Sequence, residues 1–515
     1  MTPLLATFGC LALITGAGAA LGAWLGRGRD DDAPLRIGWS YLLGCAALGI
    51  ALHVPLAIDG RISHFNFAAA LLGAAALTVW FLARRWKQIP WKPTQWSWHG
   101  DSHVVLRLAV GATLLVAFAS AVSMRPNSYD GRAAFGLKAR VLYDAGTIRN
   151  EDFEDVNRLH FNAHYPLLLP LLQAEIYWAQ GSTDDSCMRA IFAMFVLALL
   201  SVVSGELRRQ VGPKGAAGWT FLPLLTPMVI TTFEGGGLSA SADIPFACFV
   251  TAAVIEVAAW LRRRDPRRAA TAGLMLGAAC LAKAEGTIWV VALAAALAWL
   301  AMRRAWRIDF GRLRSAASGV ALLAGMIAIS ALARRHVPAS PYLRDYVQAL
   351  RWDWLVQVAH RPWEIVQYAV EEFSNFDRWN LFWLCAVVGY VGLRRKYPAS
   401  LELRFAQAAT VCIILAYFAI FVITPYHLHF HLRTALCRLV LHFLPLLVLL
   451  LAERVQASGV LEIIVENWRP LAAEERTIIL SGRFSQAEED EVPDLPVFPE
   501  ADPNRLARLV NKTVS

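Results

Sequence analysis

Ser-Tyr-Asp-Gly-Arg begins four residues after the apolar run Val104–Met124, with Asp130 at its centre. The run is long enough to cross a bilayer, and the residues after it are polar, charged and aromatic. A carboxylate held just outside a membrane is placed for chemistry at a lipid head group, where it can take a proton as a general base. The plainer reading is a solvated loop residue. Lys283 lies between two apolar helical stretches, with Glu285 two residues on. A charge there is costly, and is either paired or functional. Asp243 precedes Pro245 at the start of another apolar stretch, where an N-cap is an equally sound explanation. His427, His429 and His431 recur at every second position. An extended array of this kind can hold zinc, and a helical one can do so through its outer pair. No nearby Cys or carboxylate completes a ligand set, so no metal site is expected. Hydrogen bonding or a polar interfacial turn are the other uses of these histidines. Asp152, Glu154 and Asp155 form an acidic cluster of the kind that usually makes a solvated face. The basic side chains near these groups are Arg132, Lys138, Arg140, His164, Arg433 and Arg438.

Something must position these groups, and the composition says it is a membrane. Hydrophobic residues make up 57% of the 515 positions and charged residues 17%, against about one quarter charged in soluble chains. Mean hydropathy is +0.44. The first apolar run, Leu4–Leu25, lacks a basic n-region and a small-residue cleavage site, so it reads as a retained span. Seven of the eight cysteines lie in apolar runs, none forms a CxxC pair, and no disulfide framework is implied. The net charge of +9 comes from Lys/Arg clusters between spans. That is the positive-inside pattern rather than a basic-aromatic nucleic-acid surface, so no nucleic-acid partner is expected.

The pattern predicts an all-α polytopic protein of about thirteen transmembrane helices: roughly 4–26, 37–57, 65–83, 104–124, 187–207, 216–233, 241–261, 269–283, 286–302, 313–333, 379–394, 404–424 and 433–451. With alternating spans, six basic clusters fall on one side, which makes that side cytoplasmic. The N-terminus and the long loops 125–186 and 334–378 are then outside, and the C-terminus is inside. Ala133–Ala145 and Tyr342–His360 are amphipathic and suit the membrane surface. The tail 453–515 is acidic at Glu488–Glu491, then proline-rich, and is expected to be partly disordered.

Four segments in this order resemble the GT-C superfamily of integral-membrane glycosyltransferases, specifically bacterial relatives of the protein O-mannosyltransferases and the lipid A aminoarabinose transferase. They are Asp130 with Tyr165-Pro166-Leu167-Leu168, then Ser241-Ala242-Asp243-Ile244-Pro245, then Leu281-Ala282-Lys283-Ala284-Glu285-Gly286, and lastly Thr424–Thr434 continuing to Arg438. The resemblance covers about 104–450. It implies a catalytic module at 104–452, a three-span extension at 1–103 and a cytoplasmic tail at 453–515. Gly131 departs from it where relatives carry a second acid, and Phe430 and Cys437 replace a Trp and an Asp of the late segment.

The resemblance also implies an activity. A sugar is moved from a polyprenyl-phosphate donor to a polysaccharide, lipid or protein acceptor of the cell envelope, at the periplasmic face of a bacterial inner membrane. One carboxylate, Asp130, suffices as base for an inverting displacement. Lys283, Arg433, His164 and Lys138 are the candidates for the donor phosphate. Asp243, Glu285, His427, His431 and Asp152 are candidates for binding the acceptor or organising the loops. No cofactor is called for. The competing reading is a flippase or transporter of lipid-linked sugars, which the short helices around Lys283 would suit. A membrane scaffold is a third.

Overall fold

The computed structural model describes residues 2–26, 33–85, 103–155, 162–303, 309–338, 345–346, 348–393 and 398–460. The tail expected to be partly disordered, 453–515, is helical as far as Ser458, and 461–515 lie outside the described residues. So do parts of the basic clusters at Arg27, Lys87, Lys92, Arg304 and Arg394. Among the described residues the structure is helical with no strand, and a bridge between Arg61 and Thr147 stands alone.

The helices begin and end where local chemistry requires. Helix α1 (Pro3–Trp24) starts on Thr2, whose side chain accepts from Leu5 N–H, with Pro3 in the first turn. It is followed by α2 (Ala33–Asp59), α3 (His64–Arg85) and α4 (His103–Ser123). A π-helical turn, Asp130–Gly136, then leads into α5 (Leu137–Asp144), α6 (Glu151–Glu154) and α7 (Leu168–Gln180). Helix α8 runs Ala190–Leu224 but breaks at Gly212, where φ is 75°. Next come α9 (Pro227–Ile230) and α10 (Asp243–Arg263). Helix α11 (Pro266–Ala282) is capped by Asp265 and stops at Lys283, whose backbone is extended. After it stand α12 (Gly286–Met302) and α13 (Phe310–Arg334). Four short helices follow, α14 (Trp352–Gln357), α15 (Arg361–Phe373), α16 (Phe376–Trp379) and α17 (Phe382–Val387). The last two are α18 (Leu401–Ile423) and α19 (Leu428–Ser458).

Among the described residues, eight helices are long and apolar enough to cross a membrane, by length and composition. They are Pro3–Trp24, Arg36–Asp59, His64–Arg84, Ala190–Gly212, Asp243–Arg263, Phe310–Arg334, Leu401–Ile423 and Leu428–Ser458. The chain is thus polytopic; of the remaining expected spans, 104–124 is the 21-residue α4, with Leu108–Ser123 its apolar part, and the other four are shorter or broken. The run 216–233 is divided between the end of α8, the single turn of α9 and a loop, because Pro223 and Pro227 interrupt it. The 269–283 and 286–302 stretches are helices of 17 residues each. The 379–394 stretch is broken into α16, α17 and a π-helical turn, Val388–Gly392.

Contacts divide the chain into two units, Met1–Trp383 with Ser400–Leu450, and Leu384–Ala399 with Leu451–Ser515. In the first, α1 packs along α2, α2 along α8, and α11 along both α10 and α13. The α11–α13 crossing brings backbones together: a Cβ on Gly273 would stand 2.0 Å from Gly319 O, the close approach that small residues permit in membranes. The first three helices belong to this same unit. In the second unit the guanidinium of Arg454 lies 5.9 Å from the centre of the Tyr390 ring.

Candidate functional site

The first unit contains a cavity of about 1950 Å³. Asp130, His164, Lys283, Arg433 and His431, all singled out in the sequence, line it, and so does Glu285. Elements from distant parts of the chain meet there: the π-helical turn, the α11–α12 turn and the first half of α19. Behind the wall lies a buried ion network.

Asp243 is its centre and is fully buried. It does not cap α10, since Ala242 takes that place. One carboxylate oxygen receives Lys283 Nζ at 2.6 Å and His442 Nε2 at 3.2 Å. The other receives Arg438 Nε and Ser241 Oγ, each at 3.0 Å. Lys283 also reaches Glu285 Oε1 at 3.0 Å. Trp289 Nε1–H donates to the Tyr417 hydroxyl at 2.9 Å, and that hydroxyl lies 2.8 Å from His442 Nδ1. The hydroxyl therefore donates to Nδ1, and the His442 proton sits on Nε2, directed at Asp243. The 3.2 Å between Lys283 Nζ and His442 Nε2 is then a close approach of two donors around one shared acceptor.

Asp130 joins this network through Arg438, whose Nη2 lies 2.6 Å from Asp130 Oδ2. One guanidinium thus spans the cavity carboxylate and the buried one, the planar two-sided contact that arginine favours. The Asp130 turn is held from a second direction. Ser128 Oγ donates to Ser239 O and accepts from Gly131 N–H at 3.0 Å. Ser239 continues to Ser241, hydroxyl to hydroxyl, at 2.7 Å. Gly131 admits no side chain. An added Cβ would lie 2.5 Å from both Ser128 Oγ and Ser239 O.

The other expected residues are placed differently. Lys138, a candidate for the donor phosphate on an amphipathic surface helix, is fully buried and outside the cavity lining. It donates to Asn162 O at 2.6 Å and stands 5.6 Å from the Tyr165 ring centre. Burial brings its pKa down to about 7, opposed by nearby Asp130. An unfolded lysine titrates at 10.5, so the folded chain binds this proton more weakly. The stability linked to Lys138 therefore rises as pH increases from about 7 to 10.5. Thermal unfolding over that interval checks it: wild type is expected to gain on Lys138→Met as pH rises.

His164 lines the cavity, but burial, helped by Lys138 and Arg334, takes its pKa to about 4. Near pH 7 it offers a phosphate a neutral hydrogen bond rather than a fixed charge. His431 faces Thr424 Oγ1 at 2.9 Å. His427 and His429 are exposed, and His429 Nε2 lies 3.8 Å from Glu364. Asp152 sits in α6, away from the cavity lining. Among the described residues no group of three or more His, Cys, Asp and Glu is arranged to hold a metal ion.

The cavity's cations fall into two sets. Lys283, Arg438 and Arg378 are paired with carboxylates, Arg378 with Glu372 at 2.6 Å. Arg334, Arg335 and Arg433 line the cavity without a carboxylate partner among the described residues. Arg334 and Arg335 instead donate to carbonyl oxygens of Ser330, Ala57 and Ile58. Arg438 and His442, four residues apart on an apolar helix, are the members that sequence reasoning used least. Their signal was available, because two ionisable residues at that spacing share a face and do not sit idle in a membrane span.

Comparison with protein-family models, curated proteins and solved structures found no match to this chain.

Proposed function

We propose that this protein is a membrane glycosyltransferase that moves a sugar from a polyprenyl-phosphate donor to an acceptor hydroxyl, with Asp130 as base. The convergence of Asp130 with arginines that have no carboxylate partner among the described residues on one large cavity carries this reading. Arg438 holds the Asp130 carboxylate at the cavity wall. Asp130 takes the acceptor's proton, the acceptor oxygen attacks the anomeric carbon from the opposite face, and the bond to the phosphate oxygen breaks. The leaving phosphate keeps the electron pair and needs fixed positive charge more than a proton. Arg433, Arg334 and Arg335 can supply it, whereas Lys283 is already saturated by Asp243 and Glu285.

A flippase of lipid-linked sugars is the second reading, favoured by the buried Asp243–Lys283–His442 charges among apolar helices. Proteoliposomes holding the full chain and radiolabelled sugar on polyprenyl phosphate separate the two. The transferase reading expects label in a new acceptor, dependent on Asp130. Label that crosses the bilayer still attached to its carrier would select the flippase.

A further inference from the structure

Glu234 lies in the loop between α9 and α10 and lines the same cavity. Its Oε2 accepts the backbone N–H of Asp130 at 3.3 Å. Its Oε1 is shielded from solvent and has no hydrogen-bond partner among the described residues. A buried carboxyl oxygen without a partner costs free energy, which a ligand's hydroxyl can recover once the carboxyl group turns toward the cavity. The loop is shaped to hold it there. Gly235 has φ +84°, and an added Cβ would lie 2.5 Å from Arg438 Cγ. Only glycine lets the chain turn so tightly against the arginine that grips Asp130. Burial and the Asp130 charge push the Glu234 carboxyl up from its ordinary pKa, so this group also carries a proton more readily than a free glutamate.

The position suits one part of a ligand. Arg433 and Arg438 both line the cavity from α19, and five helical residues rise roughly 7.5 Å. A phosphate at Arg433 would therefore leave about the width of one sugar ring before the Asp130–Arg438–Glu234 end. We propose that Glu234 Oε1 binds a hydroxyl of the donor's sugar, making it a sugar-recognition residue of the cavity. This rests on the glycosyltransferase reading above.

The test is binding to the full chain in nanodiscs, with citronellyl phosphate and its glucosyl, galactosyl, mannosyl and arabinosyl derivatives as probes. Wild type should bind at least one glycosylated probe more tightly than the plain phosphate. Glu234→Ala and Glu234→Asp, which remove the oxygen or draw it back, should weaken that probe about 10- to 100-fold and leave the plain phosphate within about twofold. Glu234→Gln keeps the reach and should stay within about threefold. A matching melting temperature for Glu234→Gln shows that the loop has folded. Equal losses for both probe types, or no loss for either, would overturn the role of Glu234 while leaving the transferase reading intact. A wild type that favours no glycosylated probe would overturn both.

Discussion

Asp130→Asn is expected to lower sugar transfer by about 10²- to 10⁴-fold, the usual worth of a positioned base, while donor lipid still binds. Asparagine keeps the size of the side chain and its reach toward Arg438, but cannot accept the acceptor's proton. The substitution leaves Arg438 with its second carboxylate, Asp243 at 3.0 Å, so the cavity wall should stay in place. The measurement is turnover of a labelled polyprenyl-phosphate sugar beside a binding isotherm for the same lipid. Near-normal turnover with normal binding would remove Asp130 from the chemistry. Of the carboxylates that share the cavity, Glu234 would then be the next to examine, being hydrogen-bonded to the Asp130 backbone.

Helical class and membrane character were legible because hydrocarbon imposes them: apolar runs of about twenty residues and short basic clusters have few other uses. The number of spanning helices was less legible. Hydropathy does not register a proline-interrupted stretch such as 216–233, where the apolar count persists but the helix cannot. The cavity was half legible. Asp130, Lys283, Arg433, His164, His431 and Glu285 do line one space, since sequence can place loops at span ends. Side-chain pairing across helices lies beyond it. Asp243 read as a cap, but its neighbours in space are 40 and 195 residues away. Lys138 read as a phosphate candidate on an amphipathic surface helix, yet the residue is buried and bonded to the Asn162 carbonyl. Glu234 offered no periodicity or motif at all, only glycines beside it.

Lys283→Met and Arg433→Met should differ in kind, and that difference tests how the cavity's charges are divided. Lys283 is 4% exposed and faces two carboxylates, Asp243 at 2.6 Å and Glu285 at 3.0 Å. Removing it leaves Glu285 without its cation and Asp243 with only Arg438 and His442. Breaking a buried pair from one side typically costs about 3–5 kcal/mol, so Lys283→Met is expected to lower the melting temperature sharply and to reduce folded yield. Arg433 is exposed to the cavity and carries no carboxylate partner among the described residues. Its loss should leave the melting temperature unchanged but weaken donor lipid binding by about 10- to 150-fold, the worth of a charge-assisted contact of about 1.5–3 kcal/mol. Arg433→Lys should recover only part of that if the native contact is a two-pronged fork to phosphate oxygens. Thermal unfolding in detergent and a lipid-phosphate binding curve, run on the same preparations, separate the two effects. A stable Lys283→Met protein with weakened donor binding would return Lys283 to the phosphate site. An Arg433→Met protein with full affinity would move that site toward Arg334 and Arg335.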